Sequence, residues 1–227
     1  MEMQIHATIS DNFKLLIKKG NYEKLIFELL KKSTRLFPNQ YEHIATQSHG
    51  ECDFIDLKTG EKYDAKLPIT TKQGKWIGSN NSCFKNWIES MINECSEYTK
   101  KTIKQRDLQN NPEDLELYKI LKNKIERDKA DENIIFFFPY PVVKETSENI
   151  HGQFALDILS SIFDDLEKNG IVNGRKIYAI YPTIDNKICI RLLNTWVREW
   201  FPSDDLNYYI KYDFCYFVKK NNRTQTV

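Results

Sequence analysis

Cysteine is sparse in this chain and follows no pattern. Cys52, Cys83, Cys95, Cys189 and Cys215 are odd in number and form no CxxC pair. Such spacing supports neither a disulfide framework nor a zinc or iron–sulfur site, and fits buried free thiols in a reducing cytoplasm. Histidine is equally scarce: His6, His43, His49 and His151 are scattered, and no GxSxG elbow accompanies them, so a hydrolase triad has little support. GxGxxG, GxxxxGK[ST] and HExxH are all missing, which removes the usual signatures of dinucleotide, P-loop and zincin chemistry. Long apolar runs are missing too. Met1 to Lys19 holds none of signal-peptide length, and the longest, Ile134 to Val143, is broken by Pro139 and Pro141. The expectation is a cytoplasmic protein with no membrane segment. Excess charge is also lacking: the formal net charge is +1, which excludes a generic basic coat for a polyanion. No internal repeat or low-complexity tract is present.

What is there is a globular composition. Hydrophobic residues make up 41% and charged residues 29% of 227, enough to bury a core. Ser10 or Asp11 caps a first helix that stops at Gly20. A second starts near Asn21, with Tyr22, Leu25, Ile26, Leu29, Leu30 and Leu36 close to one stripe. His43 to Gln47 reads as a strand. Asn81 or Ser82 opens a long helix carrying Phe84, Trp87, Ile88, Met91, Ile92, Cys95 and Tyr98. Asp107 to Pro112 suits a linker, and Glu113 to Arg127 a charged, peripheral helix. Ile134 to Phe138 reads as a fully buried strand, followed by a helix from Ser147 or Asn149 to Gly170. Asn173-Gly174 turns into a strand over Lys176 to Tyr181. Ile188, Ile190 and Leu192 alternate, with a change from strand to helix around Asn194, and Tyr208 to Val218 ends the sheet. The fold class is α/β: a mixed central β-sheet flanked by helices. A single domain is expected over residues 1–227, with its core at about 10–142 and a C-terminal elaboration at about 143–220.

The stretch richest in chemistry is Glu51 to Lys66. Phe54, Ile55, Leu57 and Tyr63 favour extended chain, and Thr59-Gly60 favours a turn. A two-residue loop at Thr59-Gly60 pairs Ile55 with Asp64 and Asp53 with Lys66. Asp53, Asp64 and Lys66 then share one face, with the two carboxylates diagonal at roughly 7–8 Å between strands. That is within reach of one hard divalent cation. A one-residue shift of register would take Asp64 and Lys66 off the face of Asp53. Asp56-Leu57-Lys58 also spells acid-x-Lys, but lies too close to Asp53 to be the second arm.

An acid, a short hairpin and then acid-x-Lys resembles the core of the PD-(D/E)xK nuclease superfamily, the restriction-endonuclease-like fold. The matching residues are Asp53, Asp64 and Lys66, and Cys52 stands where the family often has proline. The resemblance implies Asp53 and Asp64 as metal ligands with the backbone carbonyl of Ala65, one or two Mg²⁺ ions as cofactor, and Lys66 beside the reacting phosphate. In that family a helix before the hairpin often adds an acid. Glu23 and Glu28 are the candidates, although their positions relative to the apolar stripe favour solvated surface charges.

The resemblance implies a magnesium-dependent endonuclease hydrolysing DNA phosphodiesters, such as a restriction or defence enzyme, with DNA as partner and a homodimer by analogy. The alternatives are a non-catalytic nucleic-acid-binding or partner subunit on the same fold, and a structural or interaction protein. With so little net charge, contact with DNA must come from local clusters. The candidates are Lys72, Gln73 and Lys75, beside Trp76, and the basic helix end Lys100, Lys101 and Lys104. The latter also suits a helix C-terminus on electrostatic grounds alone.

Overall fold

The computed structural model describes residues 2–9, 20–44, 51–68, 116–138, 150–182, 187–193, 195, 197–202 and 210–217. Within them lie nine strands and three helices: β1 (Glu2–Ile9), α1 (Asn21–Lys32), β2 (Tyr41–His43), β3 (Phe54–Asp56), β4 (Lys62–Lys66), α2 (Glu116–Arg127), β5 (Glu132–Phe137), α3 (Ile150–Lys168), β6 (Ile177–Pro182), β7 (Lys187–Leu192), β8 (Arg198–Pro202) and β9 (Ile210–Phe217). Seven strands form one mixed sheet in the order β2-β3-β4-β5-β6-β7-β8. The β4–β5 and β5–β6 pairs are parallel, and the other pairs in it are antiparallel.

Parallel neighbours need a crossover, usually helical. Here α2 lies in the connection from β4 to β5 and α3 in that from β5 to β6. Helices cover both faces. Phe27 of α1 packs on Phe54, with ring centroids 6.2 Å apart, and Phe163 of α3 packs on Phe136 at 6.4 Å. Phe54 pairs with Tyr63 and Phe136 with Lys66, and residues 63 and 66 of one strand point to opposite faces. Covered on both sides, β5 becomes a continuous apolar run, and Ile134 to Phe138 are all buried. Behind β4, Phe37 fills the space between Tyr41, Tyr63 and Tyr178, with centroids at 5.6, 5.7 and 4.6 Å.

Several expectations are met. α1 buries Leu25, Ile26, Leu29 and Leu30, although Leu36 lies beyond its end. Asn173 and Gly174 both take positive φ (53° and 74°) and Arg175 N–H closes on the Val172 carbonyl at 3.2 Å, a tight turn into β6. Other expectations are corrected. α2 is not peripheral: Leu117, Tyr118, Ile120, Leu121 and Ile125 are buried, and the Tyr118 hydroxyl donates to Asp165 of α3 at 2.8 Å. The strand before the hairpin is Tyr41–His43, earlier than expected. Residues Arg198–Pro202 are strand, paired with β7, where a turn to helix was expected. β9 does not end the main sheet but forms a separate two-stranded sheet with β1. The alternation Met3, Ile5, Ala7, Ile9 is the period-2 signal that marks β1 in the sequence. The long helix expected from residue 81 and the first helix at 10–19 fall outside the described residues.

Candidate active site

The hairpin register differs from the two-residue-loop expectation by two positions. Phe54 pairs with Tyr63 and Ile55 with Lys62, and the loop has four residues, Leu57 to Gly60. Asp56 builds it. Its N–H donates to the Glu61 carbonyl at 2.9 Å, and its carboxylate accepts the N–H groups of Lys58 (2.8 Å) and Thr59 (3.2 Å) and the Asn39 amide (2.8 Å). Gly60 takes a positive φ of 75° there. The acid of the second acid-x-Lys therefore caps a turn. Because the slip is two residues rather than one, it leaves the faces of the strands unchanged.

At the other end of the hairpin the chain bulges. Asp53 donates its N–H to the Tyr63 carbonyl on β4 (3.0 Å), while its own carbonyl accepts from Ile44 N–H on the β2 side (2.9 Å). A regular strand residue sends both groups to one neighbour, so the backbone is locally kinked and the side chain re-aimed. Asp53 Oδ2 then accepts the Ala65 N–H at 2.6 Å, in place of a ladder carbonyl.

This brings Asp53 against Asp64. Asp53 is 3% exposed. Burial, then contact with the Asp64 carboxyl, pushes its pKa up to about 8. Lys66 lies on the same side of β4 as Asp64 and pairs with it, and its Nζ also meets Asp128 Oδ1 at 2.9 Å. Burial alone would lower the Lys66 ammonium, but the two carboxylates outweigh it and hold it above the ordinary lysine value. Burial raises Asp128, against the opposing pull of Lys66.

Glu23, in the first turn of α1, also borders this group. Its side chain is 13% exposed, its Oε2 stands 3.8 Å from His43 Nε2, and its charge adds to the upward push on Asp53. Burial and then the charges of Glu23, Asp53 and Asp64 hold the Tyr22 phenol far above its usual range. Glu28 is elsewhere: it is 54% exposed and paired with Lys31 at 2.8 Å. Lys72, Gln73, Lys75, Lys100, Lys101 and Lys104 lie outside the described residues.

Two participants escaped the sequence reading. Asp128 follows the last residue of α2, where the helix dipole disfavours an acid, and that misplacement is its one sequence signal. Lys124, one turn earlier, is lowered by burial and then by the charge of Lys66.

No family model, no curated protein and no solved structure matches this chain. The site must therefore be judged on its own chemistry. Among the described residues, no group of three His, Cys, Asp or Glu side chains is arranged to hold a metal ion. Two touching carboxyls remain a fitting donor set for magnesium, which binds through one or two carboxylates and completes its shell with water and phosphate. A cation between them would also offset the Asp64 charge that, after burial, helps to hold the Asp53 pKa up. No helix among the described residues is long and apolar enough to cross a membrane.

Proposed function

We propose that the chain is a magnesium-dependent endonuclease acting on DNA phosphodiesters, with a restriction-endonuclease-like core. One observation carries this reading: the bulge at Asp53 and the strand β4 bring Asp53, Asp64 and Lys66 into one half-buried group. A mixed sheet flanked by helices, with acid, hairpin and acid-x-Lys at its centre, accords with it.

In this account Asp53 and Asp64 would hold the ion with the Ala65 carbonyl, and Glu23 of α1 would border the site as a neighbouring charge. Magnesium supplies Lewis acidity, activating water and offsetting charge on the phosphate. Asp53, raised by burial and by Asp64, would hold the ion as its deprotonated carboxylate. Lys66 Nζ orients the attacking water and places positive charge beside the phosphate as it becomes five-coordinate. Lys72, Gln73, Lys75, Lys100, Lys101 and Lys104 grip the backbone, and two copies working as a homodimer would cut both strands.

The test is plasmid digestion with magnesium, calcium or chelator, for the wild type and Asp64→Ala. The expected result is cleavage by the wild type with magnesium alone, and none by a well-folded Asp64→Ala protein. Full activity in that variant would rule the site out. One observation favours the second reading, a non-catalytic nucleic-acid-binding or partner subunit: Lys66 already sits between two carboxylates and offsets part of their charge without a metal. DNA binding with no cleavage under any metal would select it.

A further inference from the structure

We propose that Asp128 is a positioning residue that holds the Lys66 ammonium at the Asp64 carboxylate with one N–H left for the reacting water or phosphate. The proposal rests on the nuclease reading and adds to it a residue 62 positions away from Lys66 in sequence.

An ammonium has three N–H donors and no acceptor. Lys66 Nζ spends one on Asp64 and one on Asp128 Oδ1, the latter at 2.9 Å. Among the described residues nothing accepts the third. Lysine is a compact charge on a flexible stem with four rotatable carbons, and its restraint must come from its partners. Asp64 alone would leave Nζ free to swing about one contact. A second contact from another element defines a position.

Asp128 sits where a carboxylate is costly, beside the Asp64 carboxyl as well as the Lys66 ammonium. Its side chain is 8% exposed, and it sits at the C-terminal end of α2, where the dipole opposes a negative charge. Its Oδ2 is buried and finds no hydrogen-bond partner among the described residues. Each of these features costs free energy. A clip between helix and strand is made more cheaply by an exposed pair. What the costly version supplies is a fixed ammonium, made rigid because β4 and β5 are parallel neighbours and Asp128 lies in the short segment between α2 and β5. Positioning errors of about 1 Å can cost about 10²-fold in rate.

The experiment uses Asp128→Ala, which removes charge and acceptor, and Asp128→Asn, which keeps shape and one acceptor oxygen and carries the test if the alanine variant does not fold. Two readouts are taken. The first, on metal-free protein, is the ¹H–¹⁵N spectrum of lysine ammonium groups, with the Lys66 signal assigned by its disappearance in Lys66→Arg. The wild type should show a protected Lys66 ammonium, Asp128→Asn a weaker one and Asp128→Ala none. The second is the single-turnover rate of magnesium-dependent cleavage. It should fall about 10–100-fold in Asp128→Ala with DNA affinity unchanged, and recover in part in Asp128→Asn. A merely structural role would lower the melting temperature and leave the rate of the folded protein alone. Wild-type cleavage matched by a folded Asp128→Ala protein, or by an Asp128→Asn protein whose Lys66 ammonium is no longer protected, overturns the positioning role and leaves the nuclease reading standing. A wild type with a protected ammonium and no cleavage overturns the nuclease reading, and the positioning role with it.

Discussion

Asp53 Oδ2 accepts the backbone N–H of Ala65 at 2.6 Å, across the open end of the β3–β4 hairpin. The bond satisfies a strand donor that has lost its ladder partner, and it holds the Asp53 carboxyl beside Asp64. Local backbone need and the chemistry of the site meet in that contact.

The first prediction concerns pH. Burial and Asp64 raise the Asp53 pKa from 3.8 to about 8. Between those values the folded protein keeps a proton that the unfolded chain has released. Stability from this group is therefore full below pH 3.8 and is lost as pH rises through about 8. Asp53→Asn keeps an acceptor for Ala65 and removes the titration. At pH 9, with chelator, it should exceed the wild type by at least about 1 kcal/mol, the worth of one pKa unit. Urea unfolding at pH 5 and 9 measures this, and equal pH slopes for the two proteins would contradict it.

Lys66→Ala leaves the Asp64 and Asp128 carboxyls without their cation. The expected cost is about 1–3 kcal/mol, between that of an exposed and a fully buried pair. Magnesium should recover more stability in this variant than in the wild type, since the ion no longer meets a like charge. Thermal unfolding with and without magnesium reads both effects, and an identical metal shift in the two proteins would contradict the second. Under single-turnover conditions cleavage should fall by about 10²–10³-fold, and Lys66→Arg should not restore it fully.

Glu199 of β8 clamps the turn after α1. Its carboxylate accepts the Ser33 hydroxyl and the N–H groups of Thr34 (3.0 Å), Arg35 (2.9 Å) and Leu36 (3.0 Å). Burial works against the charge, but these donors win and hold its pKa below 4.5. The contribution is present above pH 4.5 and is lost as the pH falls through the depressed value. Glu199→Ala should cost about 2–3 kcal/mol at neutral pH, from charge-assisted bonds to several donors. The gap to the wild type should narrow in acid, as urea unfolding at pH 7 and 3 would read out; a constant gap would assign the loss to packing alone.

DNA affinity should fall with added salt by a few phosphates' worth of counterions. Replacing Lys100, Lys101 and Lys104 together by glutamine should weaken binding and flatten that dependence. An unchanged slope would move the contact to Lys72, Gln73 and Lys75.

Much of the site was legible because residue type and spacing carry it. Asp53, Asp64 and Lys66 meet although the loop is longer than expected: the two-residue slip preserves the strand faces, and the kink at Asp53 aims its carboxyl at Asp64. Glu23 was harder to place: on a helical wheel it lies near the edge of the stripe, and only the position of α1 beside the start of β3 brings it near Asp53. In α2 the lysines and glutamates mask a stripe of Leu117, Tyr118, Leu121 and Ile125 that is nonetheless complete. β8 and the partner of β9 are not legible in the sequence because pairing between strands depends on segments far apart in the chain.

By itself the amino-acid sequence determined the local elements: the apolar run of β5, the Asn173-Gly174 turn, the stripe of α1 and the acid-x-Lys of β4. Periodicity and turn chemistry act over a few residues and need no partner to be read. Only the tertiary structure decided that Asp128 shares an ammonium with Asp64, and that Asp53 keeps its proton near neutral pH. The first follows from the parallel pairing of β4 with β5, which joins residues on either side of a long connection, and the second from burial of Asp53 against Asp64. Solvation and charge contact depend on that three-dimensional neighbourhood.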